Sequence, residues 1–303
     1  MNWRSLADWA KHRPILLRLA DRLGRGRGRW RPLDGLPRVP RRAPMVPDLG
    51  RFLSAQLSAV WIGHATVLLR VGGMTVLTDP VFSNRIGLDV GLLTLGPQRL
   101  IRPALSLEHL PRVDLILVSH AHFDHLDRPT LTRFDRATPV LTSQHNDDLI
   151  RDLGFRRVSA LRPGDVQQVG RLKVTAWPVR HWGPRVFFDD HRGYCGFLLD
   201  SGQHRVLFGG DSADGEHFSA LQNVDLAILG IAAYEPYHAA HATPEQAWGM
   251  FRRMGARWLL PMHHSTFSLS LEPPGEPLQR LLAAAGPAVD RIVIRQIGQT
   301  WAA

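Results

Sequence analysis

Nine consecutive residues, Ser119-His120-Ala121-His122-Phe123-Asp124-His125-Leu126-Asp127, constrain this chain more than any other stretch. Five side chains able to ligate a metal fall within eight of those positions. They follow directly on the apolar run Val113-Asp114-Leu115-Ile116-Leu117-Val118. A buried strand supplies rigidity and the loop beyond it lets side chains converge, which is what a metal site needs. A single histidine would say little, because imidazole is often a satisfied core group. Three His and an Asp in the pattern H-x-H-x-D-H point to metal. The chain has fifteen histidines but one cysteine, Cys195. An internal disulfide framework and a Cys-based zinc site are therefore excluded, and the donors must be imidazole and carboxylate.

A length of 303 residues suits one large domain or two modest ones, with room for a sizeable core. The net charge of +10 resembles a nucleic-acid signature until it is localised. Residues 1–51 hold 13 Lys and Arg against 4 Asp and Glu, whereas residues 52–303 hold 24 against 23. The basicity thus belongs to an N-terminal arm, and nucleic acid is not the expected partner of a near-neutral body. In the arm, Trp3, Leu6, Trp9, Leu16, Leu17, Leu19 and Leu23 recur at helical spacing around Pro14. A Gly-Arg and Pro-Arg stretch follows to Pro47 and is expected to be extended or poorly ordered. Such an arm can lie on an anionic membrane surface, pack on its own domain or stay solvated. No signal-peptide pattern or membrane-spanning run occurs, so the expected location is cytoplasmic, peripheral at the inner membrane surface if the arm binds lipid.

From residue 58 the pattern turns to short strands. Ser58–Ile62, Thr66–Val71 and Met74–Asp79 read as consecutive strands, with Gly72-Gly73 as a hairpin turn. Residues 80–112 read as a long loop of the functional kind. Strands and helices then alternate. Helices are expected over Ser143–Leu153, Ala213–Leu221, the stretch behind the N-cap Thr243, and Glu276–Ala285. Arg291–Arg295 reads as a last strand. This rhythm suits two sheets packed face to face with helices outside. Further candidate ligands end later apolar strands: His181 after Ala176–Arg180, Asp211 after Val206–Gly210, and His263 after Trp258–Met262. Taken singly, each is an ordinary turn or cap residue. Taken with the histidine cluster, they fall on one rim of the sheets.

These residues carry a family resemblance. The His120–His125 signature resembles that of metallo-β-lactamase-fold hydrolases. The chain is more closely similar to the branch of N-acyl-phosphatidylethanolamine-hydrolysing phospholipases D and their bacterial relatives. The carriers are Trp61–Thr66, Leu77–Ser83, Ser119–Asp127, His181-Trp182, Gly210–Ser212, Tyr234–Pro236 and His263–Phe267. The resemblance implies an α/β fold, a four-layer αββα sandwich over residues 52–303. It implies two Zn2+ ions, one on His120, His122 and His181, the other on Asp124, His125 and His263, with Asp211 bridging. It implies attack by a metal-bridging hydroxide, with Asp124 and His241 as catalytic residues. His64 is expected to brace the site from behind, Tyr234 and Glu235 to line the pocket or fix a turn, and His264 to stand where relatives carry Trp. Phosphodiester cleavage in a lipid is the leading expectation. A lactonase acting on a sugar phosphate or another soluble ester is the second. A non-catalytic membrane or nucleic-acid adaptor is the alternative of another class.

Overall fold

The computed structural model describes residues 39–89, 91, 94–186 and 188–303. The expected helix over residues 2–23 and the Gly-Arg stretch lie outside them. Part of the expected arm is within the described residues and is pinned to the body. Arg41 N–H donates to Leu100 O and Met45 N–H to Ile297 O. Asp48 N–H donates to Thr300 Oγ1, and Asp48 N-caps the short helix α1 (Leu49–Ser54) through Arg51 N–H.

Among the described residues, fifteen strands build two main sheets and one small hairpin. The first seven are β1 (Leu57–Gly63), β2 (Thr66–Val71), β3 (Met74–Thr78), β4 (Leu88–Asp89), β5 (Thr94–Leu95), β6 (Leu115–Val118) and β7 (Val140–Ser143). There follow β8 (Val158–Leu161), β9 (Val166–Val169), β10 (Leu172–Trp177), β11 (Gly196–Asp200) and β12 (Arg205–Phe208). The last are β13 (Leu226–Gly230), β14 (Trp258–Met262) and β15 (Thr300–Ala302). One sheet runs β15-β1-β2-β3-β6-β7-β8 and the other β14-β13-β12-β11-β10-β9, while β4 and β5 pair with each other inside the long loop. In each main sheet antiparallel hairpins lead into parallel strands, β3-β6-β7-β8 in the first and β12-β13-β14 in the second.

Side-chain alternation assigns the layers, because successive strand residues face opposite sides of a sheet. Leu115 and Leu117 of β6 join Leu226 and Ile228 of β13 in the core between the sheets. Their neighbours Ile116 and Val118 face an outer cluster with Leu131 and Ile150, from α2 (Arg128–Leu131) and α3 (Asp147–Arg151). Ala227 and Leu229 face the opposite outer cluster with Trp248, Phe251 and Leu281, from α4 (Pro244–Arg253) and α5 (Glu276–Ala285). Strands sandwiched this way must be apolar on both faces, and all seven residues of β1 are buried. The result is the expected α/β sandwich with helices outside both sheets.

Three expected elements differ. Ser143–Leu153 is helical only over Asp147–Arg151. Ala213–Leu221 forms a 3-10 turn over Glu216–Ala220 alone. Arg291–Arg295 is not a strand. The Arg295 guanidinium donates to Val289 O and Ile292 O, and Gln299 Nε2 donates to Val293 O. With those carbonyls taken, the chain turns and the closing strand is Thr300–Ala302, antiparallel to β1.

Candidate metal centre

All the candidate ligands lie where strands end on one rim. His120 follows β6, His181 follows β10, Asp211 follows β12 and His263 follows β14, while His64 sits in the β1–β2 turn. The local backbone fits these placements. His64 and His263 both have positive φ (55° and 68°), and His263 N–H donates to His64 O at 3.2 Å. Gly210 has φ +57°, and a Cβ there would stand 2.9 Å from the Ser119 Cβ. Glycine before Asp211 therefore lets β12 close on the ligand loop.

Two sets of donors result. In the first, His122 Nδ1 lies 2.8 Å from His120 Nε2 and 3.3 Å from His181 Nε2. In the second, Asp124 Oδ2 lies 3.0 Å from His64 Nε2, 3.3 Å from His263 Nε2 and 3.6 Å from His125 Nε2. Asp211 Oδ2 faces both sets, 3.1 Å from His125 Nε2 and His263 Nε2, 3.7 Å from His181 Nε2 and 3.9 Å from His120 Nε2. Tetrahedral ligation at the usual Zn–N distance spaces donors about 3.3 Å apart, and these separations straddle that value. Asp211 Oδ1 and His122 Nε2 are buried without a hydrogen-bond partner among the described residues. The atoms that converge are others, His122 Nδ1 on His120 Nε2 and His181 Nε2, and Asp211 Oδ2 on both sets. Imidazole nitrogens turned toward one another and toward carboxylates are the donor chemistry of a cation site. The residues present therefore fit a pair of divalent metal ions with N and O ligands.

Outer hydrogen bonds fix the rings. Ser119 Oγ lies 2.9 Å from His120 Nδ1, and His181 Nδ1 lies 3.1 Å from Ala240 O. Asp79 Oδ2 lies 2.5 Å from His125 Nδ1 and accepts from Ser119 Oγ at 2.6 Å, while Asp79 Oδ1 accepts from Ser119 N–H at 2.7 Å. Such carboxylate–histidine pairs set the tautomer and raise ligand basicity. Sequence reasoning gave Asp79 no role. Its signal was available, since Thr78-Asp79-Pro80 has the same form of apolar strand followed by carboxylate as Asp211.

Electrostatics sort the site. Burial lowers His64 and His122 to about 3, with His263 adding to it for His64 and His181 for His122. Burial lowers His181 to about 4 and takes His120 and His241 well below the ordinary imidazole value. Burial alone would raise Asp124 and Asp211, but His125 and its neighbours hold both far below the usual carboxylate range. His263 resists its burial and rises to about 9, because Asp211 and Asp124 favour its cation. His125 also rises, against its burial, because Asp211, Asp124 and Asp79 favour its cation. The first set's imidazoles are thus already neutral, as ligation requires, while His125 and His263 of the second set hold protons that a metal would displace.

The remaining expected residues fall into place individually. His64 is fully buried, with Nε2 3.0 Å from Asp124 Oδ2. His241 is buried beside the centre, its Nδ1 3.9 Å from Asp211 Oδ2 and its ring edge-on to His181 at 4.9 Å. His264 packs on Trp61 with ring centroids 4.5 Å apart. Tyr234 bonds away from the metal centre. Its hydroxyl donates to Glu276 Oε1 at 2.9 Å and accepts from Arg280 Nη1. Glu235 accepts from His238 Nε2 at 3.1 Å on the surface. The Tyr234 bonds tie its loop to α5, and the Glu235 bond stays within the loop.

Comparison with known proteins agrees with this geometry. Residues 74–264 match the family model of the beta-lactamase superfamily domain. An uncharacterised protein of Mycobacterium tuberculosis is 35% identical over 267 residues, covering 84% of this chain and 70% of that protein. The N-acyl-phosphatidylethanolamine-hydrolysing phospholipase D 1 of Caenorhabditis elegans is 30% identical over 275 residues, 82% of this chain and 76% of that protein. Among solved structures, the isothiocyanate hydrolase from Delia radicum gut bacteria superposes with a TM-score of 0.66 at 19% identity, covering 81% of this chain and 98% of that one. Igni18, a metallo hydrolase of the archaeon Ignicoccus hospitalis, gives 0.61 at 19% identity, with 81% and 97% covered. Those two likenesses concern the fold. The chain belongs to the beta-lactamase superfamily and is a metal-dependent hydrolase of the metallo-β-lactamase fold. Within that superfamily it is related to the N-acyl-phosphatidylethanolamine-hydrolysing phospholipase D branch.

Proposed function

We propose that the protein is a binuclear zinc phosphodiesterase of phospholipase-D type, acting on lipids resembling N-acyl-phosphatidylethanolamine. The observation that carries the proposal is the meeting of two complete donor sets at one carboxylate, Asp211 Oδ2. The relationship to a named lipid phosphodiesterase over three quarters of its length supports the substrate class.

Two zinc ions held by His120, His122 and His181 and by Asp124, His125 and His263 would supply a hydroxide at neutral pH and charge stabilisation for phosphoryl oxygens. The chain's own residues do the rest. Asp211 keeps the two sets in register. Asp124 stays anionic and, held by His64 Nε2, presents a fixed acceptor toward the nucleophile's proton. His241, on the same face as His181 and Trp182, is placed to orient the phosphate or to hold the proton that goes to the leaving oxygen. The basic residues of the arm hold the protein at an anionic lipid surface.

The full chain reconstituted with zinc is expected to release phosphatidic acid and N-acylethanolamine from vesicles containing N-acyl-phosphatidylethanolamine. Turnover of soluble lactones with no phosphatidic acid released would overturn the lipid reading and select the lactonase instead.

A further inference from the structure

The segment leaving His181 carries an arginine whose side chain reaches the metal-ligating loop rather than solvent. Arg185 Nη1 donates to Ala121 O at 2.6 Å and to Leu126 O at 2.8 Å. These carbonyls bracket His122, Asp124 and His125. The guanidinium also lies over the Phe123 ring, 3.9 Å from its centroid. Inside the bracket the loop turns on itself, with His125 N–H and Leu126 N–H both donating to His122 O. Phe123 packs in turn against Val81, Ile86 and Phe267, so the ring held by Arg185 is anchored beneath.

Arg185 is itself held at both ends. On one side His181 and Trp182 stack with centroids 4.5 Å apart. On the other, Asp189 accepts from Val186 N–H at 2.9 Å and from Arg192 Nε at 2.7 Å, and Arg192 bonds Asp148 on α3. Gly183 allows the return, since a Cβ there would meet Arg192 O at 1.7 Å. A guanidinium is a planar fork that can bond carbonyls and stack on a ring at once; an ammonium cannot do both with the same geometry.

We infer that Arg185 is a positioning residue that clamps the Ala121–Leu126 loop and so sets the affinity of the second metal set. The sets depend on this loop unequally. It supplies two of the second set's donors, Asp124 and His125, but only His122 of the first. His120 is placed independently by its bridge to Tyr194 at the end of β6. His181 is placed by Ala240 O. Releasing the clamp should therefore loosen the second set and spare the first. The inference rests on the metal-centre reading but not on the identity of the substrate.

The test is competition of the full-length protein with a zinc chelator, for wild type, R185Q and R185K, alongside melting of the metal-free proteins. R185Q is expected to lower the affinity for one ion about 10- to 100-fold and to leave the other near wild type, the scale typical of groups that orient ligands. R185K should fall between R185Q and wild type, and added guanidinium ion should partly restore R185Q. Metal-free melting should change little. If R185Q fails to fold, R185K decides. Wild-type affinity for both ions in either folded variant would overturn the inference. Equal weakening of both ions together with a lower metal-free melting temperature would also overturn it, because that is the mark of a general folding role.

Discussion

Protonation divides the histidines of the centre. His64, His122 and His181 are held neutral down to about 3 or 4, foremost by burial, and His264 likewise to about 3. In the unfolded chain each would take a proton near 6.5. Below that pH the unfolded state therefore binds more protons than the folded one, and stability falls as pH falls toward those lowered values. His263 has the opposite sign. Raised to about 9, it favours the metal-free fold at low pH, and that contribution is lost as pH rises through 9. His120 and His241 are lowered as well, and His125 is raised together with His263, so six lowered groups outweigh two raised ones in the acid range. Metal-free protein is thus expected to show a melting temperature that drops steadily from pH 6.5 to pH 4. A flat profile over that range would mean that these rings are not buried as described. At this scale the sequence displayed His120, His122, Asp124 and His125 because they crowd into one loop. Asp79 also follows an apolar strand, but the partner that gives it a role, His125, lies 46 positions away, so the local signal did not say what it was for.

Elements were legible in proportion to how fully they are buried. β1, β6 and β13 stand out as apolar runs because each is covered on both faces. β9, Val166-Gln167-Gln168-Val169, was missed because it is an edge strand whose middle is polar and of which one residue alone is buried, paired among the described residues with β10. The expected strand at Arg291–Arg295 has the right apolar pattern, with Ile292 and Ile294 buried. It fails because side chains of Arg295 and Gln299 occupy the carbonyls that a ladder would use. The start of α4 was legible because its signal is local. Thr243 Oγ1 accepts from Gln246 N–H and Gln246 Oε1 accepts from Thr243 N–H, a reciprocal capping box. Replacing Thr243 with Ala should cost about 1 kcal/mol of stability in urea unfolding. Metal content should be unchanged, because α4 packs on the outer face of the second sheet. Loss of a metal ion in that variant would show that the helix start also supports the centre, a role assigned here to the preceding residues only.

At the scale of the molecule, the sandwich brings together donors that the chain keeps far apart. His64 and His263 are almost 200 residues apart, yet their rings stand 4.2 Å from each other because β1 and β14 end on the same rim. The described residues contain no helix long and apolar enough to cross a membrane. Where the rim loops lead is specific to this chain, and general strand patterning does not encode it. That is why the superfamily was readable from His120–His125 while the substrate was not. The central claim is a two-metal centre joined by Asp211 and completed by Asp124. It is tested most directly by counting metal per chain, by elemental analysis after zinc loading and desalting, in wild type and in Asp124→Asn. The expected result is about two ions in wild type and about one in the variant. One ion in wild type, or two retained in Asp124→Asn, would contradict it.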